Sequence, residues 1–166
     1  MLKQTFGGSG YDIACAQANK PIVYQIMNEH PIIKEVNLSE QLTKHLLFIY
    51  LGKKQNSQTE IKRFKQNKPN HTHLNEINTI IDKSMKVKSI EKFELLLDQS
   101  EDLLSPIIGK PKLKDHIFTD YKYSIKSLGA WGGDFFMATY RDLEKAKDYF
   151  RSKNLNTMFT YNEVIK

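Results

Sequence analysis

From residue 45 onward, strand and helix patterns follow one another in a set order, and this order constrains the fold more than any other feature of the chain. Residues 45–51 form a short, almost wholly apolar run, which predicts a buried central strand. Apolar residues spaced three and four apart then predict two amphipathic helices between residues 72 and 104. The remaining pattern predicts, in order, a strand at 123–128, a strand at 135–140, a helix at 141–153 and a strand at 157–161.

The predicted order is strand, helices, strand, strand, helix, strand, which is the layout of ferredoxin-like domains with extra helices inserted. The fold class is therefore α+β. Upstream of this region we predict a helix at 12–18 and extended segments at 21–26 and 31–36, joined by a turn at 28–30. A polar loop with Lys53 and Lys54 is predicted after residue 51, and Ser57 is predicted to cap a further short helix.

Composition and charge exclude some classes of function. The 166 residues are 40% hydrophobic and 27% charged, which suffices for the core of one globular domain. The net charge of +6 comes from lysines spread along the chain without a nucleic-acid-binding motif, so we expect a lysine-rich surface and no nucleic-acid partner. No apolar run is long enough to span a membrane, and the lone Cys15 has no disulfide partner. These features predict a cytoplasmic protein without a membrane partner.

A cluster of glycines near the start of the chain precedes an acidic residue. Gly7, Gly8, Ser9 and Gly10 are followed by Asp12 and then by a small, apolar run suited to a helix. Glycines allow a backbone to approach a ligand closely, so this segment could hold a polar or anionic ligand beside Asp12. The alternative is a glycine-rich turn before a buried helix, with Asp12 as a first-turn charge that the helix dipole favours.

A second glycine cluster, residues 129–133, lies between two predicted strands and therefore predicts a hairpin. Trp131 within it either narrows a pocket or packs in the core, and packing is favoured because tryptophan is commonly a core residue.

Other reactive residue types favour structural roles. We expect Cys15 to be packed rather than nucleophilic. We expect His71 and His73 to lie in a polar loop without a metal ion. The solvated face of a helix is predicted to carry Glu91, Glu94, Asp98, Glu101 and Asp102.

The two glycine clusters carry a family resemblance. The GHMP kinases, which include galactokinase, homoserine kinase and mevalonate kinase, have a Gly-Ser-Gly-x-Asp signature that resembles Gly8-Ser9-Gly10-Tyr11-Asp12-Ile13-Ala14. Their third, glycine-rich motif sits in a strand-turn-strand hairpin and is similar to Lys126-Ser127-Leu128-Gly129-Ala130-Trp131-Gly132-Gly133. The two segments occur in the order found in that superfamily. The run Gly-Tyr-Asp-Ile-Ala is close to a mevalonate-kinase-like bacterial subgroup.

The resemblance implies roles for individual residues. Asp12 resembles the catalytic aspartate, the substrate side would be shaped by Gly8, Ser9 and Gly10, and the nucleotide-phosphate loop would comprise Gly129, Ala130, Gly132 and Gly133. Trp131 stands where the superfamily usually has glycine. ATP and Mg²⁺ are the implied cofactors, but the first two superfamily motifs, one of which supplies a magnesium ligand, have no match in this sequence. No residue of this chain is assigned to a metal.

The resemblance also predicts the organisation and function of the chain. Residues 1–40 are expected to be a remnant of the N-terminal kinase domain, and residues 41–166 its C-terminal ferredoxin-like domain. The chain would then be the C-terminal part of an ATP-dependent kinase acting on a hydroxyl or phosphate of a mevalonate-like metabolite, with an N-terminal half as partner. The alternative is a non-catalytic ferredoxin-like binding module or an inactive fragment. Lost domain contacts predict exposed apolar surface on the strands at 22–26 and 32–36, and hence self-association.

Overall fold

The computed structural model describes residues 9–52, 70–129, 131 and 134–165. The predictions for Lys53, Lys54 and the helix capped by Ser57 lie outside these residues. The chain divides into two compact units, one comprising Met1–Leu38 with Asn162–Lys166 and the other comprising Ser39–Tyr161. In the described part of the chain, no helix is both long enough and apolar enough to cross a membrane.

Residues 9–38 of the first unit form one short helix and one hairpin, as the local pattern predicts. Helix α1 is Tyr11–Gln17, and strands β1 (Ile22–Met27) and β2 (His30–Glu35) pair antiparallel. Met27 pairs with His30 across a two-residue turn, in which Asn28 and Glu29 have φ angles of 48° and 65°. Positive φ at both turn residues is the type I′ geometry, whose twist matches that of paired strands.

The second unit contains a four-stranded sheet and most of the helices. Its elements are α2 (Glu40–Thr43), β3 (Leu46–Tyr50), α3 (His71–Ser84), α4 (Ile90–Ile108), α5 (Leu113–His116), β4 (Ile125–Ser127), β5 (Phe135–Thr139), α6 (Leu143–Ser152) and β6 (Met158–Thr160). Helix α7, Tyr161–Val164, follows directly. The strand order is β4-β5-β3-β6 and every neighbouring pair is antiparallel. This is the order of a ferredoxin-like sheet, and it confirms the predicted α+β class.

The core lies on both faces of this sheet because successive residues of a strand point to opposite sides. Leu47 and Ile49 of β3 face one apolar cluster, which includes Phe136 of β5 and Phe150 of α6. Leu46, on the opposite face, packs in a second cluster that comprises Leu42, Leu46, Ile90, Phe93, Leu97 and Met137. The almost wholly apolar run at residues 45–51 therefore reflects a strand covered on both sides, as the sequence predicts.

Helix α4 is longer than predicted because it continues past Pro106. Its end is set by Gly109, whose φ of 69° is left-handed and whose amide donates to the Ser105 carbonyl oxygen at 2.9 Å. Glycine adopts this conformation without the penalty that a Cβ imposes, which explains why the helix stops there. At its start, the Ser89 side chain accepts a hydrogen bond from the Lys92 amide and caps the helix.

Candidate functional site

Asp12 is exposed in the first turn of α1, directly after the first glycine cluster. Gly10 precedes the helix with a φ of 80°, a left-handed conformation that glycine adopts readily. The Gly10 carbonyl oxygen accepts the first helical hydrogen bond, from the Ala14 amide at 3.0 Å. Within the described residues, the Asp12 side chain has no hydrogen-bond or ion-pair partner.

Contacts to Tyr24 of β1 hold the backbone segment that precedes Asp12 in the sequence. The Tyr24 hydroxyl donates to the Ser9 carbonyl oxygen, and the Ser9 hydroxyl accepts a bond from the Tyr11 amide at 3.3 Å. The rings of Tyr11 and Tyr24 meet edge to face, with centroids 5.7 Å apart. The hairpin therefore positions Ser9 and Gly10, two of the predicted site residues. Gly8, the third, lies outside the described residues.

The exposure of Cys15 on α1 differs from the prediction. Its side chain is exposed, whereas the sequence predicts that it is packed. In this unit only Ala14 is buried among residues 9–38 and 162–165, so small residues on α1 do not imply a core around them. A hydrogen bond with Cys15, followed by partial burial, raises the pKa of Tyr11 to about 12.

The second glycine cluster lies between β4 and β5, which pair antiparallel and form the predicted hairpin. Gly129 has a φ of 58°, and no heavy atom lies within 4 Å of the position that a Cβ would take. Backbone conformation, not lack of space, therefore favours glycine here. Ala130, Gly132 and Gly133 lie outside the described residues. Of the predicted nucleotide-phosphate loop, the structure describes Gly129.

Trp131 is 4% exposed, so the expectation that it packs is confirmed. Its carbonyl oxygen accepts a hydrogen bond from Lys110 Nζ at 2.8 Å. Its φ of 53° is left-handed, which is rare for a bulky side chain. Its indole Nε1 is buried and lacks a hydrogen-bond partner among the described residues.

Beside Trp131 lies a buried ion pair that the sequence analysis missed. Glu101 of α4 has a side chain only 3% exposed, and its Oε1 lies 2.8 Å from Lys126 Nζ of β4. Its other oxygen accepts a bond from the Ser127 hydroxyl at 2.9 Å. The predicted solvated position of Glu101 is therefore wrong. A signal was present, because Glu101 follows Leu97 by four residues and so continues the apolar stripe of the helix.

Glu94 of the same helix is also less exposed to solvent than predicted. Its side chain is 14% exposed and binds the Arg141 guanidinium through both oxygens, at 3.0 and 2.9 Å. The Thr139 hydroxyl also donates to it. Helix α4 therefore carries buried carboxylates toward the sheet, at positions where a solvated face was predicted.

His71 and His73 are also placed differently from the prediction. They open helix α3 instead of lying in a loop, and the His73 amide donates to the Asn70 side chain at 2.8 Å, which caps that helix. In the described ranges, no group of three or more His, Cys, Asp or Glu side chains could hold a metal ion.

An open groove of about 670 Å³ lies between α3 and α4. Its lining includes Thr72, Lys83 and Asp102, but none of the predicted site residues. Its volume falls in the range of small-molecule pockets, but its walls do not include Asp12 or Gly129.

Comparison with known proteins identifies this architecture. No protein-family model matches the sequence, and no curated protein matches it. The L. major mevalonate kinase, solved in complex with R-mevalonate, is similar with a TM-score of 0.71 at 14% identity, over 92% of this chain and 52% of that one. The Methanococcus jannaschii mevalonate kinase is similar with a TM-score of 0.59 at 20% identity, over 82% of this chain and 45% of that one. The chain spans about half the length of these enzymes, and its fold is that of the part it matches.

Proposed function

We propose that this chain forms part of a GHMP-type kinase that transfers a phosphoryl group from ATP to a mevalonate-like metabolite. The observation that carries the proposal is the structural similarity to two mevalonate kinases, one of them solved with R-mevalonate. The similarity at the two glycine clusters supports it from the sequence. In this proposal residues 1–40 carry the Asp12 helix as a remnant of the N-terminal kinase domain, and residues 41–166 form the C-terminal ferredoxin-like domain.

Asp12 has the chemistry that the acceptor side of such a reaction needs. Phosphoryl transfer requires an acceptor hydroxyl that is aimed at the γ-phosphate and gives up its proton. The exposed Asp12 carboxylate can accept a hydrogen bond from that hydroxyl and then take its proton. The Tyr24 contacts hold Ser9 and Gly10, which directly precede the Asp12 helix, and in this proposal these two residues shape the binding site of the phosphoryl acceptor.

The described residues of this chain offer more for the binding of ATP than for the binding of magnesium. Gly129 keeps an open, left-handed backbone position, which fits the close approach of an ATP phosphate to the backbone. The charge of Lys126 is already paired with Glu101. Among the described residues, no group of three or more His, Cys, Asp or Glu side chains could hold magnesium.

A phosphoryl-transfer assay tests the proposal. ADP release from ATP and R-mevalonate would be measured with the chain alone and with the chain mixed with the part of a mevalonate kinase that it does not match. We expect transfer in at least one of these conditions. Absence of transfer in both would contradict the proposal.

The role of Asp12 is tested by Asp12→Asn, which keeps the size of the side chain but removes the base. We expect the rate to fall by about 10²–10⁴-fold. Asp82→Asn, the same change at an exposed aspartate of α3, is the matched control and should keep the rate. An unchanged rate in Asp12→Asn would show that this residue is not the base.

Burial of Trp131 favours a second candidate, a non-catalytic ferredoxin-like binding module, because the bulky ring fills space where the GHMP motif usually has glycine. Calorimetric titration with ATP separates the two candidates. Binding of ATP by the chain favours the kinase, whereas a stable, folded chain that does not bind ATP favours the module.

A further inference from the structure

Helix α1, which carries Asp12, has little core packing to fix its direction. It is seven residues long, and Ala14 is its one buried residue. A helix of about two turns is marginal in water unless tertiary contacts support it. Contacts at its first turn therefore have a large effect on where the Asp12 carboxylate lies.

Tyr24 of β1 connects the hairpin to the start of this helix. Its hydroxyl donates to the carbonyl oxygen of Ser9, which lies 15 residues earlier in the chain. Its ring also packs edge to face on the ring of Tyr11, with centroids 5.7 Å apart. Tyr24 is itself held in the hairpin, because each of the six residues of β1 pairs with a residue of β2. The hairpin therefore contacts both the backbone before the helix and the first residue of the helix.

The backbone transmits these contacts to Asp12. The Ser9 hydroxyl accepts a hydrogen bond from the Tyr11 amide at 3.3 Å, and the Gly10 carbonyl oxygen accepts one from the Ala14 amide at 3.0 Å. Asp12 lies between these two bonded amides in the first turn. A shift of the Ser9 carbonyl group would therefore move that turn, and the Asp12 carboxylate would move with it.

We propose that Tyr24 is a positioning residue, which orients the Asp12 carboxylate toward the phosphoryl acceptor by holding the Ser9 carbonyl group. The role of Asp12 as the base rests on the proposed kinase function, whereas the effect of Tyr24 on α1 rests on the contacts above. A base must lie within hydrogen-bond reach of the proton that it takes, so a small displacement slows the transfer. The competing explanation is that the Tyr24 hydroxyl stabilises the first unit without a separate effect on Asp12.

Tyr24→Phe tests the effect on the helix, because it removes the hydroxyl and keeps the ring beside Tyr11. Hydrogen–deuterium exchange of the full chain compares the amides of α1 with those of the hairpin. We expect exchange in α1 to become about fivefold faster, as for the loss of one hydrogen bond, with exchange in the hairpin unchanged. Tyr149→Phe is the matched control, because it removes a hydroxyl that donates to Asp120 in the second unit. This control should leave exchange in α1 unchanged.

A double-mutant cycle tests whether Tyr24 acts through Asp12. The rate of ADP release from ATP and R-mevalonate is measured under the condition that gives transfer with the unaltered chain. Tyr24→Phe should lower kcat about tenfold and leave the KM for ATP unchanged. Combined with Asp12→Asn, the same change should have no further effect on kcat, because the base that it positions is gone. Tyr149→Phe should keep kcat.

The proposal is overturned if Tyr24→Phe leaves exchange in α1 unchanged, or if it speeds exchange in the hairpin as much as in α1. An equal loss of kcat with and without Asp12→Asn would also overturn it. A failure of the kinase proposal looks different. In that case the unaltered chain gives no transfer under any condition, so the role of Tyr24 in catalysis is lost with it. The exchange comparison then decides separately whether Tyr24 holds helix α1.

Discussion

His45 shows how burial and charge act on a single side chain. It precedes β3, and its ring meets that of Tyr140 edge to face at a centroid distance of 6.0 Å. Burial, followed by the positive charges of Arg141 and Lys44, lowers the pKa of His45 below 6.5 and outweighs the opposing effect of Glu91. The folded state therefore favours the neutral imidazole.

This shift predicts a stability that depends on pH. Above pH 6.5, His45 is neutral in both the folded and the unfolded state and has no effect. As the pH falls below 6.5, the unfolded chain binds a proton first, so the free energy of unfolding decreases until the folded state is also protonated. Urea unfolding at several pH values between 5 and 8 measures the change of the free energy of unfolding with pH.

His45→Gln should flatten that slope, because it removes the titrating ring. His30→Gln, at an exposed histidine of the hairpin, tests whether the loss of any histidine has the same effect. Equal slopes in His45→Gln and the unaltered chain would show that the pH dependence arises elsewhere.

Helix α4 contacts α2, α3 and strand β4 of the second unit. Its apolar stripe packs on the sheet through Phe93 and Leu97, and its carboxylates bind Lys126 and Arg141 on two different strands or strand ends. Because those ion pairs are shielded from water, losing one partner leaves an uncompensated charge and costs more than losing a surface pair. The start of this helix is therefore expected to affect the whole unit.

Ser89→Ala should lower the free energy of unfolding by about 1 kcal/mol, because the Lys92 amide loses its capping acceptor. Chemical unfolding followed by circular dichroism measures the change. Ser100→Ala makes the same substitution inside α4 and should be neutral or slightly stabilising, since alanine favours helix interiors. A larger loss in Ser100→Ala than in Ser89→Ala would contradict the capping role.

The two units differ in how they bury apolar surface. The sheet of the second unit is covered on both faces by residues such as Leu47 and Leu46. The hairpin of the first unit instead leaves Ile26, Ile32 and Ile33 exposed by 47%, 48% and 50%. The predicted exposure of apolar side chains on these strands is thus confirmed. Ile26 and Ile33 lie on one face of the hairpin and Ile32 on the other, and exposed apolar side chains on a hairpin favour contact with another chain.

We therefore expect the purified chain to self-associate, with a weight-average mass that rises with concentration in sedimentation equilibrium. Ile32→Lys should reduce this association, since it places a charge on the exposed strand. Leu95→Lys is the control, because Leu95 is 62% exposed on α4 and lies outside the hairpin. A concentration-independent monomer mass for the unaltered chain would contradict the expectation.

Much of the fold was predictable from local pattern. The strand at Leu46–Tyr50, helix α3, the hairpin at Gly129 and helix α6 all follow from the spacing of apolar residues and the positions of glycines. The four-residue helices α2, α5 and α7 were not predicted, because one turn is too short to show a period. For the candidate site, the sequence predicted that Asp12 lies on a helix and Gly129 in a hairpin. It did not predict which side chains surround them.

The sequence by itself determined the order of strands and helices, because hydrophobic period and turn residues act over a few neighbouring positions. Only the tertiary structure decided which charges are buried. Glu101 meets Lys126 25 residues away, and Glu94 meets Arg141 47 residues away. A local sequence pattern does not predict such pairings. A buried carboxylate on the apolar stripe of a helix is tolerated only where the tertiary fold brings a cation to it. Contacts between distant residues also bring the Lys110 and Lys126 side chains to Trp131.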